Sequence, residues 1–224
     1  MLDSFRDTFR LPDLKRRILF TLAALFVYRL GAHVPTPGVD AAALGKLFDQ
    51  GSLLGFLDLF AGGALSRFSI FALGVTPYIN SSIVMQLLAV VVPSIEKMQK
   101  EGEEGRKKIV QWTRYGTIIF AFIQAVGMTG WLKGLGIYSG GMLDIILVSL
   151  TLTTGAVAVM WLGEIMSDHG IGNGISLLIF AGIVVRIPEA IIRTASLVRL
   201  GEMNVLVMLI AVAIMVAVVA GCVM

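Results

Sequence analysis

Long apolar runs, separated by short polar connections, dominate the pattern of residues along the chain. A helix of about 20 mostly apolar residues crosses the ~30 Å hydrocarbon layer of a bilayer. The runs have about this length and lack the period-two alternation of membrane strands, so helices are the way left to satisfy their backbone groups. The pattern predicts about six spans with loosely defined ends: Ile18–Val34, Phe68–Pro93, Val110–Trp131, Leu143–Gly163, Ile171–Ile192 and Met203–Met224.

One apolar segment, residues 47–63, is too short to cross a bilayer. It lies between the first two predicted spans and reads LFDQGSLLGFLDLFAGG. Its length favours a re-entrant or interfacial segment, or a short helix buried among other helices. A surface helix lying on the bilayer remains open as the alternative.

Lysine and arginine are concentrated in two places, residues 6–17 with five and residues 97–114 with six. Cytoplasmic loops of membrane proteins carry such an excess, so both clusters are assigned to the cytoplasm together with the N-terminus. The second cluster includes a cytoplasmic basic loop containing Arg106, Lys107 and Lys108. Two later connections disagree with this topology, because residues 164–170 lack Lys and Arg whereas residues 186–199 contain three arginines.

Composition supports the membrane interpretation. Hydrophobic residues make up 57% and charged residues only 15%, against roughly 25% charged in soluble domains. The net charge of +3 is explained by topology, because the basic residues lie between apolar runs rather than over a nucleic-acid-binding face. The lone Cys222, with only His33 and His169, excludes an intrachain disulfide and a zinc site built from these residues. We expect no cofactor, no metal and no direct nucleic-acid ligand.

The charged N-terminus, residues 1–17, lacks a small-residue cleavage site before a polar region. We therefore expect a retained first helix rather than a removed signal peptide.

Two predicted spans are interrupted. Pro77 lies inside the second, where proline removes a donor and is expected to kink the helix. The fifth begins at residues 170–174, GIGNG, which we interpret as an entry loop with Asn173 capping the helix. Interruptions of this kind can mark a translocation path, or can reflect the higher frequency of Gly and Pro in membrane helices.

Polar side chains inside the spans are expected to face other helices or a cavity. Ordinary interhelical hydrogen bonding remains the alternative for any one of them. Arg29, late in the first span, is expected to snorkel outward or pair across helices. The others are Asn80, Ser81, Ser82 and Gln86 in the second span and Gln124 in the third.

The sequence shows no catalytic set of residues. Glu164, Asp168 and His169 are close together, but no nucleophile or metal set accompanies them. We expect them in a solvated cytoplasmic loop, and we expect the protein not to be an enzyme. A phosphate-cradling loop is also missing, so any energy source is expected to be another protein or the membrane potential.

Four long strings resemble the SecY family of protein-conducting channels: residues 14–40, 62–88, 101–117 and 160–184. The likeness runs over the whole chain in order. It implies an all-α, polytopic bundle that is half of a pseudo-symmetric ten-helix channel. Residues 1–17 are then a cytoplasmic amphipathic N-terminus, 18–192 the first five helices, and 203–224 the sixth span. The second half is expected to be missing, so that the chain is a fragment.

The resemblance also implies roles for individual residues. Asn80 and Gln124 match polar positions beside a lateral gate, through which membrane helices leave for the lipid. Val75, Ile79, Ile175 and Ile179 match the pore ring, with Val75 in place of the commoner isoleucine. Each pair is four residues apart, so both members lie on one helix face. Residues 53–66 match the plug, with Leu53, Leu54, Phe56, Leu57, Leu59, Phe60, Gly62 and Gly63 as its site residues.

By resemblance the function is passage of unfolded secretory proteins across the bacterial cytoplasmic (inner) membrane. The implied partners are SecE and SecG subunits, the motor SecA or the ribosome, signal sequences, nascent chains and membrane lipid. Two alternatives remain. A secondary transporter usually carries an ionisable residue at its midplane site, whereas the candidates here are aliphatic or amide side chains. A structural subunit or insertase without a pore is distinguished by conductance recording.

Overall fold

The computed structural model describes residues 12–39, 44, 58, 62–138, 140–199 and 205–223. Within these ranges the regular structure is helical, apart from one isolated antiparallel bridge between Pro35 and Ser69. The predicted all-α class is therefore confirmed. The helices are α1 Pro12–Gly31, α2 Thr76–Val91, α3 Pro93–Lys100, α4 Glu103–Gly134, α5 Met142–His169, α6 Gly174–Val184, α7 Ile187–Arg199 and α8 Val205–Val223.

Contacts divide the chain into two units, Met1–Ile183 and Val184–Met224. In the first unit α4 packs against both α2 and α5, and α1 packs against α5. Small side chains recur every four residues along the buried face of α4, which lets neighbouring backbones approach closely. These residues are Thr113, Thr117, Ala121, Ala125 and Thr129.

Two described helices, α4 and α5, are long and apolar enough to cross a membrane. A third candidate arises if α2 and α3, which meet at 101°, form one broken span. In α1 the basic residues Lys15, Arg16, Arg17 and Arg29 shorten the apolar stretch. The count of six spans stays a prediction.

The second predicted span begins later than expected. Residues 62–75, hereafter the turn segment, form successive turns, and α2 starts at Thr76. Left-handed backbone at Gly62, Gly63, Phe68 and Gly74 prevents a continuous helix there. The expected kink at Pro77 is wrong, because this proline lies in the first turn of α2, where no donor is lost.

The sharp bend lies instead at Pro93. Here α2 has ended at Val91 and α3 begins. A proline at the start of a helix cannot continue the hydrogen-bond ladder of the helix before it.

The fifth predicted span is also divided. Val185 and Arg186 form a turn between α6 and α7. Pro188 has no N–H to donate to the carbonyl group of Val184, so one continuous helix would lack that bond.

Two expected loops are helical. Arg106, Lys107 and Lys108 lie exposed in the first two turns of α4 rather than in a loop. The last two turns of α5 carry Glu164 and the exposed Asp168 and His169. The predicted loop at Glu164 to Gly170 was therefore wrong, because α5 continues to His169.

The second unit contains α7 and α8. The described side chains of α8 are largely exposed and almost all apolar. An exposed apolar helix is suited to lipid or to a protein neighbour rather than to water.

Candidate functional site

All four predicted ring residues lie in one apolar cluster. Val75, the last residue of the turn segment and the N-cap of α2, is buried, and Ile79 packs in the first turn of α2. Ile175 and Ile179 enter the same cluster from α6. The cluster is completed by side chains of the turn segment, α1 and α5, including Phe71, Tyr28, Val159 and Met166.

The beginning of α6 is held by its own Asn173 cap, by α5 and by α1. The Asn173 side chain accepts a hydrogen bond from the Ser176 N–H at 3.1 Å, which confirms the predicted cap. The Ser167 hydroxyl of α5 accepts one from the Gly174 N–H at 2.9 Å. A Cβ on Gly174 would overlap the carbonyl oxygen of Gly163, so the two backbones touch. These contacts fix the position from which Ile175 and Ile179 project.

A third contact comes from α1. The Arg17 guanidinium donates to the Gly170 carbonyl oxygen at 3.2 Å, and the Thr21 hydroxyl accepts from the Ile171 N–H at 3.2 Å. The sequence offered no signal for this pairing, because the partners are about 150 residues apart.

Most of the predicted plug lies outside the described residues, including Leu53, Leu54, Phe56, Leu57, Leu59 and Phe60. Of its remaining part the structure describes Asp58 and residues 62–66, among them the buried Gly62 and Gly63. The Asp58 carboxylate is buried and accepts hydrogen bonds from the N–H groups of Leu65 and Ser66 at 3.0 and 2.9 Å. A carboxylate with backbone donors of this kind organises a tight turn.

The turn segment is tied to the chain that follows α1. The Thr36 N–H donates to the Phe68 carbonyl oxygen at 2.9 Å, and the Ile70 N–H donates to the Val34 carbonyl oxygen at 3.0 Å. In α1 itself the Arg29 guanidinium donates to the Gly62 carbonyl oxygen at 2.9 Å.

The polar residues predicted in the second span lie in different environments. Ser81 is buried and donates to the Thr113 carbonyl oxygen of α4 at 2.7 Å. Gln86 donates to Ser82 one turn away, on an exposed surface. Asn80 and Gln124 are half-buried, on α2 and α4 respectively. The structure thus assigns Ser81 to helix packing, whereas the gate role of Asn80 and Gln124 stays a prediction.

An open cleft of about 660 Å³ lies between α2 and the beginning of α4. Ser82 and Gln86 line it from α2, while Glu103 and Arg106 line it from α4. The polar face of α2 is therefore adjacent to the predicted cytoplasmic basic cluster.

Glu164 was expected in a solvated loop, but the structure places it in α5 and pairs it with Arg114. Its side chain is only 15% exposed and accepts a hydrogen bond from the Arg114 guanidinium at 2.9 Å, which joins α5 to α4. Because the Arg114 side chain is 47% exposed, solvent screens the pair, and we expect it to contribute at most about 1 kcal/mol. A basic residue in the third predicted span was the available signal, because a cation at that depth needs a partner.

Long apolar helices, small-residue packing and an aliphatic cluster at the junction of two helices define an α-helical membrane protein. The family model described as SecY matches residues 69–224. The protein translocase subunit SecY of Escherichia coli strain K12 is 47% identical over 206 residues, covering 89% of this chain and 46% of that protein. The corresponding subunit of Thermus thermophilus is 44% identical, covering 99% and 52%. The chain belongs to the SecY family.

Solved structures agree with this assignment. A SecY structure whose plug domain is described as stabilising the closed state and maintaining a membrane seal is 25% identical, with a TM-score of 0.58. The aligned region covers 78% of this chain and 36% of the chain in that structure. A protein-conducting channel with a TM-score of 0.57 is 23% identical, covers 75% and 36%, and shows the shared fold. The chain spans about half the length of the curated relatives it matches.

Proposed function

We propose that the chain is half of the central channel subunit of the general secretory translocon. In this role it passes unfolded secretory proteins across the membrane and releases membrane helices sideways into lipid. The observation that carries the proposal is the convergence of Val75, Ile79, Ile175 and Ile179 in one apolar cluster, in a chain of the SecY family.

An aliphatic ring suits this function physically. A narrow apolar constriction excludes water and therefore ions. Aliphatic side chains make no directional bonds, so the ring can widen around a passing polypeptide without holding it. The fixed start of α6 and the proline-initiated start of α2 provide firm supports for side chains that have to close again.

We propose the remaining roles by resemblance to the family. Residues 53–66 close the channel as a plug, Asn80 and Gln124 lie beside the lateral gate, and Arg106, Lys107 and Lys108 face the cytoplasm, where SecA or the ribosome docks. SecE and SecG complete the complex in the bacterial inner membrane, with the N-terminus of this chain in the cytoplasm. The Sec61 neighbour, from a ribosome–channel complex, supports a ribosome as one class of partner. The protein acts as a channel rather than an enzyme.

The test uses this chain assembled with the remaining segment of a SecY relative in a planar bilayer. Ile79→Gly combined with Ile175→Gly is expected to raise the resting ion conductance, because two aliphatic groups leave the seal. The matched control is Ile83→Gly with Ile183→Gly, which lie on the same helices and are 49% and 41% exposed. A resting conductance unchanged in the first variant would remove these residues from the seal.

A further inference from the structure

We propose that the ion pair between Arg114 and Glu164 positions the predicted ring residues by setting the spacing of α2 and α6. This role rests on the proposed channel function and adds a residue pair to it. Arg114 lies on α4 and Glu164 on α5, and neither helix carries a predicted ring residue. Both are therefore positioning residues, which act on the ring only through neighbouring helices.

The helix α2 is fixed to α4 close to Ile79. Two residues after Ile79, the buried Ser81 hydroxyl donates to the Thr113 carbonyl oxygen of α4 at 2.7 Å. A Cβ on Gly116 would overlap the same hydroxyl, so the two helices are in close contact here. Residues two apart in a helix differ by about 3 Å along its axis. A displacement of α4 at Thr113 is therefore expected to carry Ile79 with it.

The helix α6 is similarly fixed to α5, close to Ile175. The Gly174 N–H donates to the Ser167 hydroxyl of α5 at 2.9 Å. A Cβ on Gly163 would overlap the Ile175 side chain, so this predicted ring residue lies directly on the α5 backbone. Glu164 is the next residue of α5. The part of α5 that carries Glu164 is therefore also the part that supports Ile175.

The apolar cluster shared by α4 and α5 lies near the connection between them, residues 135–141. It contains Ala121, Ala125 and Leu132 from α4 and Val148, Leu152 and Ala156 from α5. No described residue of α4 belongs to the apolar cluster of the predicted ring residues. Arg114 lies about 10 Å beyond Ala121 along the helix axis, at 1.5 Å per residue. The ion pair therefore joins α4 to α5 at a level that their shared apolar cluster does not reach.

The surroundings of Glu164 give the direction of movement when the pair is broken. Its side chain is 15% exposed, and the Arg114 Nε donates to its carboxylate at 2.9 Å. The exposed Asp168, one turn further along α5, adds a second negative charge near the guanidinium. A carboxylate that loses its bonded cation in this position gains free energy by contact with water. Water reaches more of it when α4 moves away from α5, and this movement also draws α2 away from α6.

The expected change is modest in size. A partly exposed ion pair contributes at most about 1 kcal/mol, which corresponds to about a fivefold change in an equilibrium constant. An interaction that is stronger with the ring closed than with the ring widened biases the channel toward the closed ring by that difference. We therefore expect loss of the pair to raise the resting open probability about fivefold.

The experiment records the resting conductance of this chain, assembled with the remaining segment of a SecY relative, in a planar bilayer. Arg114→Gln and Glu164→Gln are each expected to raise the resting open probability about fivefold. Exchanging the charges, Arg114→Glu with Glu164→Arg, should return it to the wild-type level, because the pair is restored in the opposite sense. The matched control is Asp168→Asn, which neutralises an exposed carboxylate of α5, leaves the bonded pair in place and should conduct like the wild type.

A reducible cross-link tests whether the pair acts through the spacing of α2 and α6. Ile79→Cys and Ile175→Cys are introduced into a channel that lacks other cysteines, including Cys222, and are joined by a short bis-methanethiosulfonate reagent. With the cross-link in place, Arg114→Gln should add no conductance, because α2 and α6 can no longer separate. Reduction of the cross-link should bring back the increase of about fivefold.

Wild-type conductance in both single variants would overturn the proposal, because the pair would then have no effect on the ring. A leak that persists in the cross-linked channel or in the charge exchange would overturn it too, since the leak would then arise elsewhere in the bundle. Failure of both single variants to assemble, where Asp168→Asn assembles, would assign the pair to folding instead. A cross-link that does not form with the pair intact would contradict the closeness of α2 and α6 on which the proposal depends.

The same recordings distinguish this inference from the channel function. If Ile79→Gly with Ile175→Gly raises the resting conductance and the pair variants do not, the inference fails and the function stands. If the ring variants leave the conductance unchanged and the assembled wild type translocates no precursor, the proposed function itself fails.

Discussion

Gly155 lets α5 touch the backbone of the turn segment. A Cβ at this position would overlap the carbonyl oxygen of Ile70 and approach the Phe71 ring. The contact places the turn segment directly against α5, and the turn segment ends at Val75, the N-cap of α2. The distance between α5 and the Ile70 carbonyl group therefore affects the position of the predicted ring residue Val75.

We expect Gly155→Ala to lower the free energy of unfolding by about 1–3 kcal/mol, because a methyl group forced into a packed backbone contact strains both partners. Denaturant-dependent unfolding in detergent micelles measures this loss. Gly127→Ala on α4 is the control, since a Cβ there meets nothing within 4 Å. Equal stability of the two variants would contradict the packing of α5 on Ile70.

At the residue scale the sequence predicted some bonds and missed others. Asn173 was predicted as a cap because an Asn before an apolar run satisfies the first helical N–H groups, a local rule. Ser81, by contrast, bonds to a carbonyl group of Thr113, 32 residues away. Only the packing of α2 on α4 brings that acceptor near, so spacing along the chain gave no sign of it.

At the element scale α4 is the longest described helix, with 32 residues. The distance along its axis from Lys107 to Lys133 is about 39 Å at 1.5 Å per residue. This exceeds the ~30 Å hydrocarbon thickness, and the basic cluster near Lys107 favours the cytoplasm for that end.

Single cysteines at Lys107 and Lys133 should therefore react with an impermeant maleimide from opposite sides of the membrane. The experiment requires Cys222→Ser, because the native cysteine is exposed. Inside-out and right-side-out vesicles give the two labelling patterns. Labelling of both positions from one side would rule out α4 as a span.

Element boundaries depended on prolines and glycines in ways that hydropathy does not register. Pro77 and Pro93 have similar apolar neighbours, yet the first begins α2 and the second follows a 101° bend. The difference arises upstream, because the left-handed residues of the turn segment have already ended any helix before Thr76. Hydropathy alone merged residues 68–93 into one span, since it measures burial and not backbone conformation.

At the scale of the whole molecule, the predicted ring residues lie on or beside two helices of the described part of the chain, α2 and α6. A closed ring would need side chains from all around a pore axis, and the predicted gate beside Asn80 and Gln124 would need a facing wall. The chain spans about half the length of its curated relatives, and the resemblance assigns the rest of the ring and the facing wall to the other half of those relatives.

We expect the 224-residue chain alone to give no protease-protected precursor in vesicles supplied with the cytoplasmic motor. Adding the complementary segment of a SecY relative as a separate polypeptide should restore protection. Protected precursor with the 224-residue chain by itself would contradict the assignment of this chain to half of a channel.

The sequence by itself determined the helical class, the apolar character of the elements and the family, since these follow from composition, local periodicity and long specific strings. The contacts from α1 to the start of α6, the pairing of Arg114 with Glu164 and the bond from Arg29 to Gly62 were decided only by the tertiary structure. Each joins residues that are at least 33 positions apart. A hydrogen bond or close backbone contact depends on distances in space, which a chain acquires only when its helices pack.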